Sequence, residues 1–223
     1  MWNKTDSKKV LDRLASAFRE TPRRFFTEHD LHSHLYNLVE KELERKDALF
    51  NESKDGFQVS LVHHEYPTPF RCDMSNKDFR LVEESDRTNY GGFFKRGHYD
   101  LVVLNPDFVR KFDTIVVAGK NYKRFCKEKD KIDVPPLLWI CEIIFCSHVE
   151  EGLPKNMIKI VTQDAKKVIE SLKYKLGKVN FAENGSTMVF IGIRPNEKTE
   201  RLIKQIREFN RKNDFNIRVQ TAV

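Results

Sequence analysis

No apolar run in these 223 residues is long enough to cross a bilayer. The longest, "PPLLWIC", is closed by Glu142, whereas a membrane helix needs roughly 20 apolar residues, so no membrane role is expected. The polar N-terminus "MWNKTDSKKV" lacks the apolar stretch of a signal peptide, which leads to an expected cytoplasmic location. Cysteine is scarce: Cys72, Cys126, Cys141 and Cys146 form no C-x-x-C pair, which argues against a zinc ribbon and a thioredoxin-type redox site and favours reduced core thiols. Also missing are a Walker A loop, a nucleotide-binding G-x-G-x-x-G and a G-x-S-x-G elbow, and with them the commonest nucleotide and acyl-transfer chemistries. No internal repeat or low-complexity segment occurs.

What is present is charge on a globular background. Hydrophobic residues at 39% and charged residues at 33% describe a folded chain with a heavily charged surface rather than a disordered one. The net charge of +7 favours polyanionic partners. The length suits one large domain with a substantial core.

Hydrophobic spacing predicts alternating elements. Val10, Leu14 and Phe18 mark a first helix stopped near Pro22. Thr27 as N-cap, an acid at the third helical position and the stripe Leu31, Leu35, Leu38 and Val39 mark a second, from about Glu28 to Arg45. The alternation of Phe57, Val59 and Leu61 reads as a strand. Residues 66–96 read as an irregular excursion with a short strand at Phe79 to Val82, and Tyr99 to Leu104 as the next strand. A short strand is expected at "TIVVA", and a central one at "LLWICEIIF", Leu137 to Phe145. A long amphipathic helix over Lys155 to Leu176, a strand at Thr187 to Ile193, a helix over Glu197 to Arg211 and the alternating "FNIRV" complete the pattern.

Three acids stand where apolar residues are expected. Glu142 interrupts the most apolar strand, where an unpaired carboxylate would cost on the order of several kcal/mol, so something must neutralise or coordinate it. Asp100 opens the run Leu101 to Leu104, and side-chain parity puts it on a face with His98. Glu28 lies on the helix stripe of Leu31, His32 and Leu35; Glu28 and His32, at i and i+4, read as an ordinary helix-surface pair. Together the three carboxylates suit a hard cation, Mg²⁺ or Mn²⁺, held by Asp100 and Glu142 with Glu28 in support.

This order of elements, with "FFTEHDL", "HYDLVVL" and "CEIIF", resembles the PD-(D/E)XK nuclease superfamily over roughly Phe25 to Ile193. The resemblance implies an α/β restriction-endonuclease-like fold with a mixed central sheet flanked by helices. It also implies a single domain over 1–223, with an N-terminal helix and a C-terminal helix-strand extension outside the core. The implied activity is metal-dependent hydrolysis of phosphodiester bonds in DNA or RNA. Two positions depart from the pattern. Tyr99 stands at the motif proline, and Ile144 at the lysine that, in the family, positions the attacking water and steadies phosphate charge.

A cation from elsewhere could replace it. Lys159, Gln163 and Lys166 form a stripe on the long helix, and His98 shares the face of Asp100, so Lys159, Lys166 and His98 join the candidate catalytic set. Solvated charge is the competing reading for the lysines. "GGFFKRGH" and the outer cations of the last helix, Arg201, Lys204, Arg207 and Arg211, are candidate backbone contacts for nucleic acid. The alternative function is a catalytically inactive domain of the same fold that binds nucleic acid or a protein partner.

Overall fold

The computed structural model describes residues 1–73, 81–82, 94–119, 122–146, 156–192 and 196–222. Two helices lead, α1 (Lys4–Glu20) and α2 (Glu28–Glu44), followed by strands β1 (Phe50–Glu52), β2 (Gln58–Ser60), β3 (Val62–Asp73), β4 (Leu81–Val82) and β5 (Phe94–Leu104). Short helices α3 (Pro106–Lys111), α4 (Thr114–Val117) and α5 (Tyr122–Glu128) precede β6 (Leu137–Cys146) and the long α6 (Met157–Lys173). Then come β7 (Lys175–Leu176), β8 (Val179–Asn180), β9 (Gly185–Ile191), α7 (Glu197–Asn213) and β10 (Ile217–Thr221). Among the described residues no helix is long and apolar enough to cross a membrane.

Six strands form a mixed sheet in the order β10-β9-β6-β5-β3-β4. β6 runs parallel to β9, and β9 to β10, whereas β5 is antiparallel to both β6 and β3. The parallel pairs require crossovers, which α6 and α7 supply. β6 is central, as its composition predicts, and nine of its ten residues are buried. One face of its C-terminal half, Ile144 and Cys146, packs with Val161 and Ala165 of α6 and Leu202 and Ile206 of α7. The other faces α1 and α2, with Phe145 edge-on to Phe18. Cys141 and Cys146 are buried free thiols, and burial raises both thiol pKa values.

Local chemistry explains where the helices begin. Asn3 caps α1 and Thr27 caps α2, each in a reciprocal box with the acid three residues on. In α2 the Asp30 carboxylate accepts from the backbone N–H groups of Phe26 (2.9 Å) and Thr27 (2.8 Å), which holds its pKa down. α6 packs so closely on the start of β9 that a Cβ at Gly185 would collide with Val168.

Some expected boundaries move. "TIVVA" forms α4 and not a strand. Asp55 accepts from the N–H (2.9 Å) and hydroxyl (2.7 Å) of Thr114, while the N–H groups of Val116 and Val117 turn back to the Asp113 carbonyl, so local contacts override a β-branched preference. Phe57 to Leu61 is divided between a hairpin, β1 with β2, and the entry to β3. β3 and β5 extend into the stretch read as irregular, and Leu81–Val82 pairs with β3, while Phe79 lies outside the described residues.

α1 and α2 are joined by charge as well as by apolar contact. Lys9 Nζ lies 2.7 Å from Glu42 Oε2, Arg45 bonds Oε1, and Lys46 reaches Asp6 at 2.6 Å. The Arg45 hydrogen bond, with Lys9, lowers the Glu42 pKa from 4.5 to about 2. A depressed folded-state pKa contributes stability that is complete above the ordinary carboxylate range and is lost as pH falls through the folded value. Glu42→Gln is therefore expected to cost about 1–2 kcal/mol at neutral pH, because its cations are partly exposed, and to cost nothing near pH 2. Urea denaturation of both proteins across that range checks it; an equal difference at all pH values would refute the assignment.

Candidate functional site

β5 and β6 stay in register only as far as Leu101 opposite Cys141. Beyond that pair β5 continues against β3 alone, and the next N–H groups of β6 on that edge have no strand to donate to. Carboxylates take the strand's place. Ile143 N donates to Asp100 Oδ2 at 2.6 Å, and Phe145 N donates to Glu28 Oε2 at 3.0 Å. The N-cap of α2 thus has a consequence for the site: it makes Glu28 the first helical residue, from which its carboxylate spans to β6.

The third expected acid, Glu142, is 2% exposed beneath α6. Its Oε2 lies 2.7 Å from Lys167 Nζ, and its Oε1 has no hydrogen-bond partner among the described residues. The same ammonium donates to the His98 carbonyl at 2.7 Å, lies 3.6 Å from Asp164 Oδ1 and sits 6.0 Å from the Tyr99 ring centroid. One turn further along α6, the Ser171 hydroxyl bonds the Lys167 carbonyl at 2.6 Å and meets the buried Tyr99 hydroxyl. Tyr99, at the motif-proline position, thereby pins α6 to β5.

His32, one turn after Glu28, brings Nε2 to 3.5 Å from Asp100 Oδ2, an ion-pair separation without hydrogen-bond alignment. On the far side of Asp100, His64 Nδ1 lies 3.2 Å from the Asp100 carbonyl oxygen and stacks on Tyr36.

Electrostatics follow from burial against pairing. Desolvation raises the Glu142 pKa well above the carboxylate range; Lys167 opposes this, and Asp100 and Asp164 add to it. Burial acts to discharge Lys167, yet Glu142, Asp164 and Asp100 outweigh it and keep the ammonium firmly protonated. Desolvation also raises Glu28 and Asp164. For His32, burial acts downward, but Asp100 and Glu28 prevail and raise it above the ordinary histidine value.

Of the residues expected from sequence, Asp100 lies within electrostatic reach of Glu28 on one side and of Glu142 on the other. His98 contributes its carbonyl, while its side chain is exposed. Lys166 is exposed and Lys159 half-buried; the cation that reaches Glu142 is Lys167. Sequence reasoning missed Lys167, Asp164 and the Tyr99–Ser171 contact. The available signal was a second stripe, Asp164, Lys167 and Ser171 at i, i+3 and i+7, bordering the apolar face of Val161, Ala165 and Val168. Ile144 packs inside the apolar cluster between β6, α6 and α7, so its place holds no cation.

Four carboxylates, Glu28, Asp100, Glu142 and Asp164, face one ammonium and one imidazole. The excess of negative oxygen and the lone Oε1 of Glu142 fit a hard divalent cation in donor chemistry. As they stand, no three His, Cys, Asp or Glu side chains among the described residues converge closely enough to hold an ion.

Fold and site together define a mixed-sheet α/β protein whose central strands part around a carboxylate cluster partly offset by a helix-borne lysine. Comparison of the chain with protein-family models, with curated proteins and with solved structures finds no match in any of the three.

The buried pair sets a measurable expectation. Lys167→Met strands Glu142, which takes up a proton, and breaking such a pair is expected to cost about 3 kcal/mol. Adding Glu142→Gln removes the stranded charge, so the double variant should lose less, by urea midpoint, than the two single losses combined. Additive losses would show that the two side chains do not act as a pair.

Proposed function

We propose that this chain is a metal-dependent nuclease of the PD-(D/E)XK kind, hydrolysing phosphodiester bonds in DNA or RNA, with its lysine delivered from α6 instead of from β6. The observation that carries the proposal is the Lys167 ammonium, 2.7 Å from Glu142 Oε2 on the strand next to Asp100. A lysine at that place meets the need that Ile144 leaves unmet. The mixed sheet, with an acid-bearing helix ahead of the Asp and Glu strands and an amphipathic helix after them, supports the same reading.

In this mechanism Asp100 and Glu142 would hold Mg²⁺ or Mn²⁺, and Glu28 would support it directly or through water. Such an ion, when bound, acidifies a water and screens the negative charge of a phosphodiester. Lys167 stays protonated and offers its N–H groups to the attacking water or to the phosphate oxygens, where charge develops in the transition state. His32 holds the Asp100 carboxylate in place from α2. Exposed cations on α7, Arg201, Lys204, Arg207 and Arg211, supply a surface for phosphates away from the cluster.

The second reading is an inactive domain of the same kind that binds nucleic acid or a protein partner. It is favoured by one observation: Glu142 is already engaged by Lys167.

Incubation of the full chain with DNA and RNA, single- and double-stranded, in Mn²⁺ or Mg²⁺ separates the two. Cleavage is expected, with Asp100→Asn and Glu142→Gln each reducing the rate by at least about 100-fold and Lys167→Met by a similar factor. Ala substitution at the exposed Lys166 should change it by less than about three-fold, since that side chain lies off the cluster. Activity that survives Asp100→Asn and Glu142→Gln would overturn the proposal, and a wild type inert on all substrates and both metals would support the inactive reading.

A further inference from the structure

The parallel ladder between β6 and β9 places Thr187 directly opposite Glu142. Registered residues on neighbouring strands project to the same face about 4.8 Å apart, so this hydroxyl and this carboxylate are neighbours beneath α6. Thr187 is fully buried, and among the described residues its Oγ1 has no hydrogen-bond partner; neither has the Oε1 of Glu142. Two adjacent, buried, complementary groups therefore each lack a bond, one of them able to donate and the other to accept.

The surroundings make a hydroxyl at this place conspicuous. The next residues on the same face of β9 are Gly185, packed under Val168, and Val189, inside the apolar cluster of α6 and α7. A valine has the shape of threonine and would fill this place without burying a polar atom, so an unused hydroxyl is a net cost to the fold. Lys167 lies on Oε2, which leaves Oε1 as the carboxylate oxygen available to a further donor.

We propose that Thr187 is a positioning residue for Glu142: after rotation about its Cα–Cβ bond, or through one water, its hydroxyl donates to Oε1 and fixes the plane of the carboxylate while Lys167 holds the other oxygen. With both oxygens held, the carboxylate has one orientation, and the second lone pair of Oε1 remains to serve as a ligand. The inference rests on the nuclease reading only for its consequence at the metal; the contact itself does not depend on it. Outer-shell partners that orient a ligating carboxylate commonly govern metal affinity by about 10- to 100-fold.

The test uses the full chain, with Thr187→Val removing the hydroxyl at constant shape and Thr187→Ser retaining it. Calorimetric titration with Mn²⁺ alone is expected to show Thr187→Val binding about ten-fold more weakly than wild type and Thr187→Ser within about three-fold of it. Equal affinities in wild type and Thr187→Val would overturn the proposal, as would Thr187→Ser binding as weakly as Thr187→Val, since packing and not the hydroxyl would then be responsible. A double-variant cycle of Thr187→Val with Glu142→Gln, read by urea midpoint in metal-free protein, tests the contact separately. Non-additive midpoints are expected, and additive ones would overturn it. A wild type that gives no Mn²⁺ response refutes the nuclease reading and leaves this cycle to decide the contact. Should Thr187→Val not fold, Thr187→Ala takes its place in both measurements.

Discussion

A carboxylate in the middle of the most buried strand is the constraint around which this structure is organised. Glu142 loses nearly all its hydration, and in an apolar interior that loss is tolerable only if another charge is brought to it. Lys167 is that charge, and it must come from α6, so the helix has to lie at one height and one rotation above the sheet. The features that fix this placement have no other evident purpose: Gly185 lets α6 approach β9 closely, and the Tyr99 hydroxyl meets Ser171 one turn beyond Lys167. The buried pair thus dictates how helix and sheet pack, and the packing in turn sets the chemistry the cluster can offer.

The same cluster solves a backbone problem. Where β5 leaves β6, two N–H groups lose their ladder partners, and the carboxylates of Asp100 and Glu28 accept from them. This accounts for an acid at the mouth of an apolar strand: Asp100 completes the sheet edge at the point where the sheet opens. Structural and chemical roles coincide in these residues, because a carboxylate bonded through one oxygen is oriented and still has the other to offer.

Much of the scaffold was legible from spacing and composition. The capping box at Thr27 and Asp30, the apolar stripes of α1, α2, α6 and α7 and the apolar run of β6 around Glu142 each rest on local pattern, which the chain carries wherever it is placed. Glu28, Asp100 and Glu142 were conspicuous because each is a charge set within an apolar pattern. "TIVVA" misled for the opposite reason: its β-branched residues speak for a strand, but a strand needs a neighbour, and the contacts of Asp55 and Asp113 wind the segment into a short helix instead.

What the sequence determined by itself was the kinds and order of the elements and the presence of unpaired acids, since these follow from periods of two and 3.6 residues and from the cost of burying charge. Which cation answers the acids was decided only by the tertiary structure. Lys159, Lys166 and Lys167 are chemically alike, and adjacent positions on a helix point about 100° apart, so a difference of one residue separates a side chain in solvent from one locked against Glu142. Its partners Glu142 and the His98 carbonyl lie on β6 and β5, far away in the chain, and only Asp164, three residues before it, is recorded locally. The pairing of Thr187 with Glu142 is of the same nature: it depends on strand register, which is set by the packing of α6 between two strands and not by either strand alone.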